Sequence, residues 1–316
     1  MSALSGTPLA ASVSRPTLRR PVQRLTFPPG PPGPPGDPHD QQPADGSPSV
    51  SRRVDTLAVE EPLEIRLGDQ PFTITMRTPG HDLELALGFL LAEGVIASPD
   101  DVRSARHCPD AALDPDGNPT HNVVEVQLAD HVPVPSRGLV RRVSSACGVC
   151  GAESIDEVTA RCRSDLHADR TRVPPAVLAA LPDKLRGRQR SFDRTGGVHA
   201  AGLFTASGDL LCLREDVGRH NALDKVIGWA LTSGRIPLRG TVVQVSGRAS
   251  FELVQKAAAA GVPILAAVSA PSSLAVELAE STGMTLVGFS RGTSLNVYAH
   301  GWRISGLADG SPADQP

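Results

Sequence analysis

The chain has 316 residues, 40% of them hydrophobic, and carries 31 Lys and Arg against 34 Asp and Glu for a net charge of −3. That length supports two ordinary domains with real cores, and so small a net charge gives no global drive toward nucleic acid or membrane surfaces. Aromatic residues make up only 3%, too few for base-stacking platforms, and no run is long and apolar enough to span a bilayer as a helix.

The N-terminus lacks the apolar centre of a secretory signal, so the expected location is the cytoplasm. Residues 1–50 are rich in Pro, Gly, Ser and Arg, with runs such as Pro28-Pro29-Gly30-Pro31-Pro32, and are expected to be a disordered tail. The collagen-like triplets are too few for a triple helix. From Val54 alternating apolar residues begin. The stretches 57–67 and 71–76, separated by Gly68-Asp69, predict a β-hairpin. Thr78-Pro79-Gly80-His81-Asp82 starts a buried helix over 83–96, closed near Gly94. A strand is predicted at 122–128, a short helix at 154–163, and a linker followed by a helix over 170–185.

The last third is the most regular. Strands are expected at 198–204 and 210–214, a helix at 221–231 with Asn221 as N-cap, and then strand 241–246, helix 250–260, strand 263–268, helix 272–282 and strand 285–289. This β-α-β-α-β order implies a parallel sheet. Ligands of such sheets bind beyond the carboxyl ends of the strands. Three small polar loops end those strands: Ser246-Gly-Arg-Ala-Ser250, Ser269-Ala-Pro-Ser-Ser273 and Phe289-Ser-Arg-Gly-Thr-Ser294. Two open helices, and Arg248 and Arg291 add bidentate donors, a setting suited to phosphate. Equally, Gly, Ser and Pro serve simply as tight-turn residues.

Cys147-Gly-Val-Cys150, with Arg141 and Arg142 upstream and a predicted helix start downstream, is the sharpest local chemistry. Those positive fields favour thiolate, and a thiolate accepts and passes on sulfane sulfur. The five cysteines are an odd number, which argues for reduced thiols rather than a disulfide scaffold. Half a zinc site, a thioredoxin-like redox pair and two buried thiols remain open as alternatives at this point. Cys108, Cys162 and Cys212 are single, so no second close pair completes a zinc site and no metal is expected.

The string Ser144-Ser-Ala-Cys-Gly-Val-Cys-Gly151 is similar to the cysteine motif of the FdhD family, accessory sulfurtransferases for formate dehydrogenases. Further blocks resemble that family in order from about Pro62 to Ile304: Arg77-Thr-Pro-Gly-His-Asp82, Leu87 to Ile96, Thr195-Gly-Gly-Val-His199, Arg214-Glu-Asp-Val-Gly-Arg-His-Asn-Ala-Leu-Asp-Lys225, Ser246 to Glu252 and Phe289 to Tyr298.

The resemblance implies an α/β fold: a cytidine-deaminase-like three-layer α/β/α domain over 136–306, a smaller α+β domain over 54–135, and a short tail over 307–316. It implies that Cys147 takes sulfur from a cysteine desulfurase as a persulfide, with Cys150 assisting. The acceptor substrate is the molybdenum bis(molybdopterin guanine dinucleotide) cofactor, held by Phe289, Ser290, Arg291, Gly292, Thr293 and Ser294. The implied partners are the desulfurase, the formate dehydrogenase catalytic subunit and a second copy of the chain. Ala146 departs from the motif without touching either thiol. Zinc-deaminase chemistry is not expected, since Ala146 replaces the proline before the cysteines and His199-Ala-Ala201 lacks the glutamate. A cofactor chaperone that only binds and delivers is the alternative. For Arg214, Glu215, Asp216, Arg219 and His220 a ligand role and an ion-pair role weigh equally, and His199 reads rather as a structural histidine.

Overall fold

The computed structural model describes residues 15–27, 48–108, 121–134 and 164–307, with the backbone of 141–143. Two large sheets, a two-stranded ribbon and six α-helices organise them. The first sheet has five strands in the order β5-β6-β3-β4-β7: β3 (Glu61–Leu67), β4 (Gln70–Arg77), β5 (Val102–His107), β6 (Val123–Leu128) and β7 (Arg141–Val143). β3 and β4 form the predicted hairpin, with Gly68 at a φ of 60° in its turn. Because β7 pairs with β4, this sheet continues past the boundary expected at 135.

Helix α1 (Asp82–Ala92) lies on this sheet and is buried almost all round. Leu63, Ile65 and Leu67 of β3 and Val124 and Val126 of β6 point into the same core. The alternating burial of β3 is what a strand with one covered face produces.

The second sheet runs β13-β12-β11-β10-β8-β9, from β8 (His199–Thr205), β9 (Leu210–Asp216), β10 (Thr241–Val245), β11 (Ile264–Ala267), β12 (Thr285–Arg291) and β13 (Ser294–Ala299). β10, β11 and β12 are parallel, and the outer pairings are antiparallel. Successive residues bury on opposite faces. Ala201, Leu203, Val243, Val245 and Leu265 pack under α4 (Arg219–Thr232), α5 (Phe251–Ala259) and α6 (Ser273–Thr282). Ala200, Phe204, Val242, Ile264 and Ala266 pack under α2 (Pro175–Arg186) through Leu178, Leu181 and Leu185. Three layers follow, helices over sheet over helix. A short α3 (Arg190–Thr195) joins α2 to β8.

The two sheets share one continuous core because α1 crosses α4 at backbone contact. A Cβ on Gly88 would stand 1.8 Å from the Asp224 carbonyl oxygen, and one on Gly228 1.8 Å from that of Glu84. Only glycine admits that approach.

The N-terminal stretch differs from expectation. Thr17–Thr26 forms β1, paired antiparallel over ten residues with β2 (Ser49–Ala58). Part of the supposed disordered tail is therefore a β-ribbon. Its alternation was obscured because Arg and Pro interrupt the apolar positions. Helix α4 also starts earlier than expected: its N-cap is Gly218, and Asn221 lies inside it.

Candidate functional site at the carboxyl edge of the second sheet

The three strand-end loops meet. The Ala249 N–H donates to the Ala270 carbonyl (3.2 Å), the Ser269 N–H to Gly247 (3.3 Å), and the Phe289 N–H to Ser269 (3.2 Å). The third loop is a continuation of β12 that turns tightly into β13, with Arg291 opposite Ser294 across Gly292-Thr293. Gly292 has a φ of 59° and Phe289 a φ of 49°, at an irregularity between Gly288 and Arg291. A non-glycine residue in the left-handed region costs free energy that its surroundings must hold in place. Here the Phe289 backbone bond and the buried Ser290 hydroxyl, which donates to the Leu178 carbonyl (3.3 Å), do so. The result presents Arg291, Gly292, Thr293 and Ser294 to solvent while Ser290 is sealed inside.

Arg291 lies over the Phe289 ring at 5.9 Å. No ion pair ties Arg248 or Arg291 to another described residue, and both are exposed. Arg248 and Arg291 thus stand on loops that backbone hydrogen bonds tie together beside the start of α6, a setting that suits a phosphate-bearing ligand. Ser272 caps α6, its hydroxyl accepting from the Ala275 N–H (3.3 Å).

Antiparallel pairing brings a second group of residues to this edge. β8 begins where β10 ends, so His199 stands beside Gly247, a Cβ on which would be 3.4 Å from the His199 Nδ1. Burial and the neighbouring Arg219 push the His199 pKa down. His220 is buried, its Nε2 3.1 Å from the Ser250 hydroxyl and its Nδ1 3.5 Å from Glu252. Burial, then Lys256, Arg219 and His199, lower its pKa to about 3, so it is neutral. The Arg219 Nε is buried with no partner among the described residues. Sequence reading placed His199 with structural histidines; the structure puts it at the first residue of β8, beside the loop that follows β10.

The rest of the 214–225 string has structural work. Arg214 pairs with Glu84 (2.5 Å), and burial works against that carboxylate while Arg214 and His81 hold its pKa low. Glu215 accepts from the Ser191 and Phe192 N–H groups, both at 2.8 Å, at the start of α3. Asp216 accepts from the Thr78 N–H (3.1 Å) and Gly218 N–H (2.8 Å) and pairs with Lys225 (2.6 Å). Lys225 donates to the Thr78 carbonyl (2.8 Å), and Asn221 to that of Met76 (2.7 Å). The 77–82 and 214–225 strings are thus two halves of one lock between the sheets. Within the first half Arg77 pairs with Asp82 (2.9 Å) and so braces the turn between β4 and α1.

Cys147, Cys150, Cys162 and the helix expected over 154–163 lie outside the described residues. Cys212 is buried, and burial pushes its thiol pKa to about 12, the setting of an inert side chain. Cys108 is raised by burial and by Glu125. Among the described residues no three His, Cys, Asp or Glu side chains group as metal ligands, and no helix is long and apolar enough to cross a membrane.

Comparison with known proteins places the chain in a family. A sulfur carrier protein FdhD of Nocardia farcinica is 56% identical over 260 residues, covering 82% of this chain and 92% of that protein. One from Streptomyces coelicolor is also 56% identical over 260 residues, covering 81% and 92%. A crystal structure of a protein described as a formate dehydrogenase accessory protein, from Desulfotalea psychrophila, superposes with a TM-score of 0.65 at 25% identity over 91% of this chain and 99% of that one. The model of the FdhD/NarQ family matches residues 58–305, which span both sheets and all three loops, and the chain belongs to that family.

Proposed function

We propose that this protein is a sulfur carrier for formate dehydrogenase maturation. Its similarity to proteins named sulfur carrier protein FdhD, at 56% identity, supports that role. In this reading the Cys147 thiolate attacks the sulfane sulfur of a cysteine desulfurase persulfide. The new bond is Cys147 S–S, the old S–S bond breaks, and the desulfurase thiolate leaves. Cys150 assists the onward transfer. The acceptor substrate is the molybdenum bis(molybdopterin guanine dinucleotide) cofactor, and the sulfur reaches it before it enters the formate dehydrogenase catalytic subunit.

The observation that carries the cofactor half of this reading is the meeting of the three loops, with the exposed Arg248 and Arg291 free of ion pairs to other described residues. Phe289, Ser290, Arg291, Gly292, Thr293 and Ser294 form the hairpin that would hold the nucleotide end. Its strained backbone is pinned by Ser269 and Leu178, so the loop is shaped before the ligand arrives.

Intact-mass spectrometry tests the transfer. After incubation with a cysteine desulfurase and cysteine, the wild type gains one reducible sulfur, about 32 mass units, and the Cys147→Ala variant does not. Absence of the gain in the wild type, or its survival in Cys147→Ala, removes Cys147 as the carrier. If Cys147→Ala also sustains formate dehydrogenase activity in cells, delivery without sulfur transfer is the function.

A further inference from the structure

Arg219 and His199 stand at the carboxyl edge with hydrogen-bonding capacity that the fold leaves unused. The Arg219 Nε is buried and has no partner among the described residues. A buried donor left unpaired costs free energy unless a ligand supplies the acceptor. The His199 imidazole, half-buried at the start of β8, likewise makes no hydrogen bond to a described residue.

Gly247 lies between them. A Cβ there would stand 3.4 Å from the His199 Nδ1, 3.6 Å from its Cε1 and 4.0 Å from the Arg219 Cδ. Those are ordinary contact distances, so the absent methyl group leaves a methyl-sized gap between an imidazole and the arm of a guanidinium. Its walls are fixed by the backbone. The Ala200 N–H donates to the Ser246 hydroxyl (2.9 Å), the Ser246 N–H to the Ala200 carbonyl (3.0 Å), and the Ser269 N–H to the Gly247 carbonyl (3.3 Å).

The charge around the gap is positive. Arg219 opens α4, whose amino end favours an anion, and Arg248 is exposed on the same loop as Gly247. The neighbouring carboxylates are engaged elsewhere. Asp216, opposite His199 on β9, pairs with Lys225 (2.6 Å), and Glu252 stands beside His220 (3.5 Å) and Lys256 (3.7 Å). A gap of this size beside one unsatisfied N–H suits a single large anionic atom better than a phosphate with its four oxygens. A sulfur anion is such an atom, close to a methyl group in size and stabilised by a neighbouring guanidinium.

The path of the chain indicates the source of the sulfur. The β7 backbone runs parallel to β4 and ends with Val143 beside Thr75. The Thr75 hydroxyl donates to Asn221 (3.3 Å), in the same first turn of α4 as Arg219. Cys147 follows Val143 by four residues, a reach of up to about 14 Å. We propose that Arg219, His199 and Gly247 form a cradle for the sulfur anion that Cys147 carries. This rests on Cys147 as the carrier and adds the place where its sulfur is held.

The test is alkylation of Cys147 by iodoacetamide across pH, read by peptide mass spectrometry in the full-length Cys150→Ala protein. Cys147 should react with a midpoint below the ordinary thiol value of about 8.5. Gly247→Ala fills the gap and Arg219→Gln removes its charge. Each should raise the midpoint by about one pH unit, a roughly tenfold smaller thiolate fraction at pH 7. Gly247→Ala should keep its thermal midpoint, because the added methyl group meets only ordinary contacts. A merely structural role would do the reverse, lowering the thermal midpoint and leaving the alkylation profile alone. An ordinary thiol midpoint before either change, or one profile shared by all three proteins, would overturn the cradle. If that result accompanied uptake of about 32 mass units from a desulfurase, the carrier reading would stand without it. Shifted profiles without uptake would keep the cradle as a thiolate site and remove the carrier reading.

Discussion

His220 illustrates how one buried side chain sets a pH dependence. It is buried in the first turn of α4, hydrogen-bonded to Ser250, with Lys256, Arg219 and His199 disfavouring a further positive charge and Glu252 the carboxylate beside it. Its folded pKa of about 3 lies well below the value of about 6.5 in an unfolded chain. Between those values the unfolded state binds the extra proton. The stabilisation is therefore complete above about pH 6.5 and is lost progressively as pH falls toward 3. Urea unfolding of the wild type should lose up to about 1.4 kcal/mol per pH unit through this group between pH 6 and 4. His220→Gln, which cannot titrate, should flatten that slope; an identical slope in both proteins would refute the assignment. Lys256 nearby keeps its charge. Burial works against it, but Asp224 at 2.9 Å and Glu252 hold its pKa above the ordinary lysine value.

At the scale of elements, the crossing of α1 and α4 decides how the sheets meet. Gly88 and Gly228 place each helix against the other's carbonyls, with no room for a methyl group. Gly88→Ala must push the helices apart, breaking packing that also orients the Arg214–Glu84 and Lys225–Asp216 pairs. We expect a loss of about 3 kcal/mol or more in denaturant unfolding, at or beyond the upper end of ordinary overpacking because the clash is with rigid backbone. A loss below about 1 kcal/mol would mean that the helices slide freely. Helix α1 itself was legible in the sequence, since its continuous apolar run ends at Gly94. The parallel strands and their glycine-terminated helices were legible for the same reason. The lock was not, because Arg214 and Asp216 find Glu84 and Thr78 through a fold that no local pattern encodes.

Over the whole molecule, the edge of the second sheet collects what the chain keeps apart. His199, Arg219, Arg248 and Arg291 come from four separate segments, and the sheet order alone brings them to one side. Arg291 is exposed and packs only lightly over Phe289. Arg291→Ala should therefore leave thermal stability unchanged while weakening guanosine diphosphate binding about tenfold, the value of one charge-assisted contact. Calorimetric titration with the nucleotide reads that difference directly, and equal affinities would place the phosphates elsewhere. The β1–β2 ribbon is the other whole-molecule feature: Leu18, Leu25, Val50, Val54 and Leu57 on its two strands are exposed.

The residues alone determined the α/β class and the order of strands and helices in the last third. Those depend on periodicity, capping and residue type, which act over a few positions. Tertiary structure decided which charged residues are paired inside the fold and which stand at the carboxyl edge of the second sheet. It turned Arg214, Glu215 and Asp216 into parts of a lock and set His199 beside Gly247. It also showed that an Arg- and Pro-rich N-terminal stretch pairs across 22 intervening residues into a ribbon. Each of these is a long-range pairing, and a pairing partner far along the chain leaves no local trace in the residues that await it.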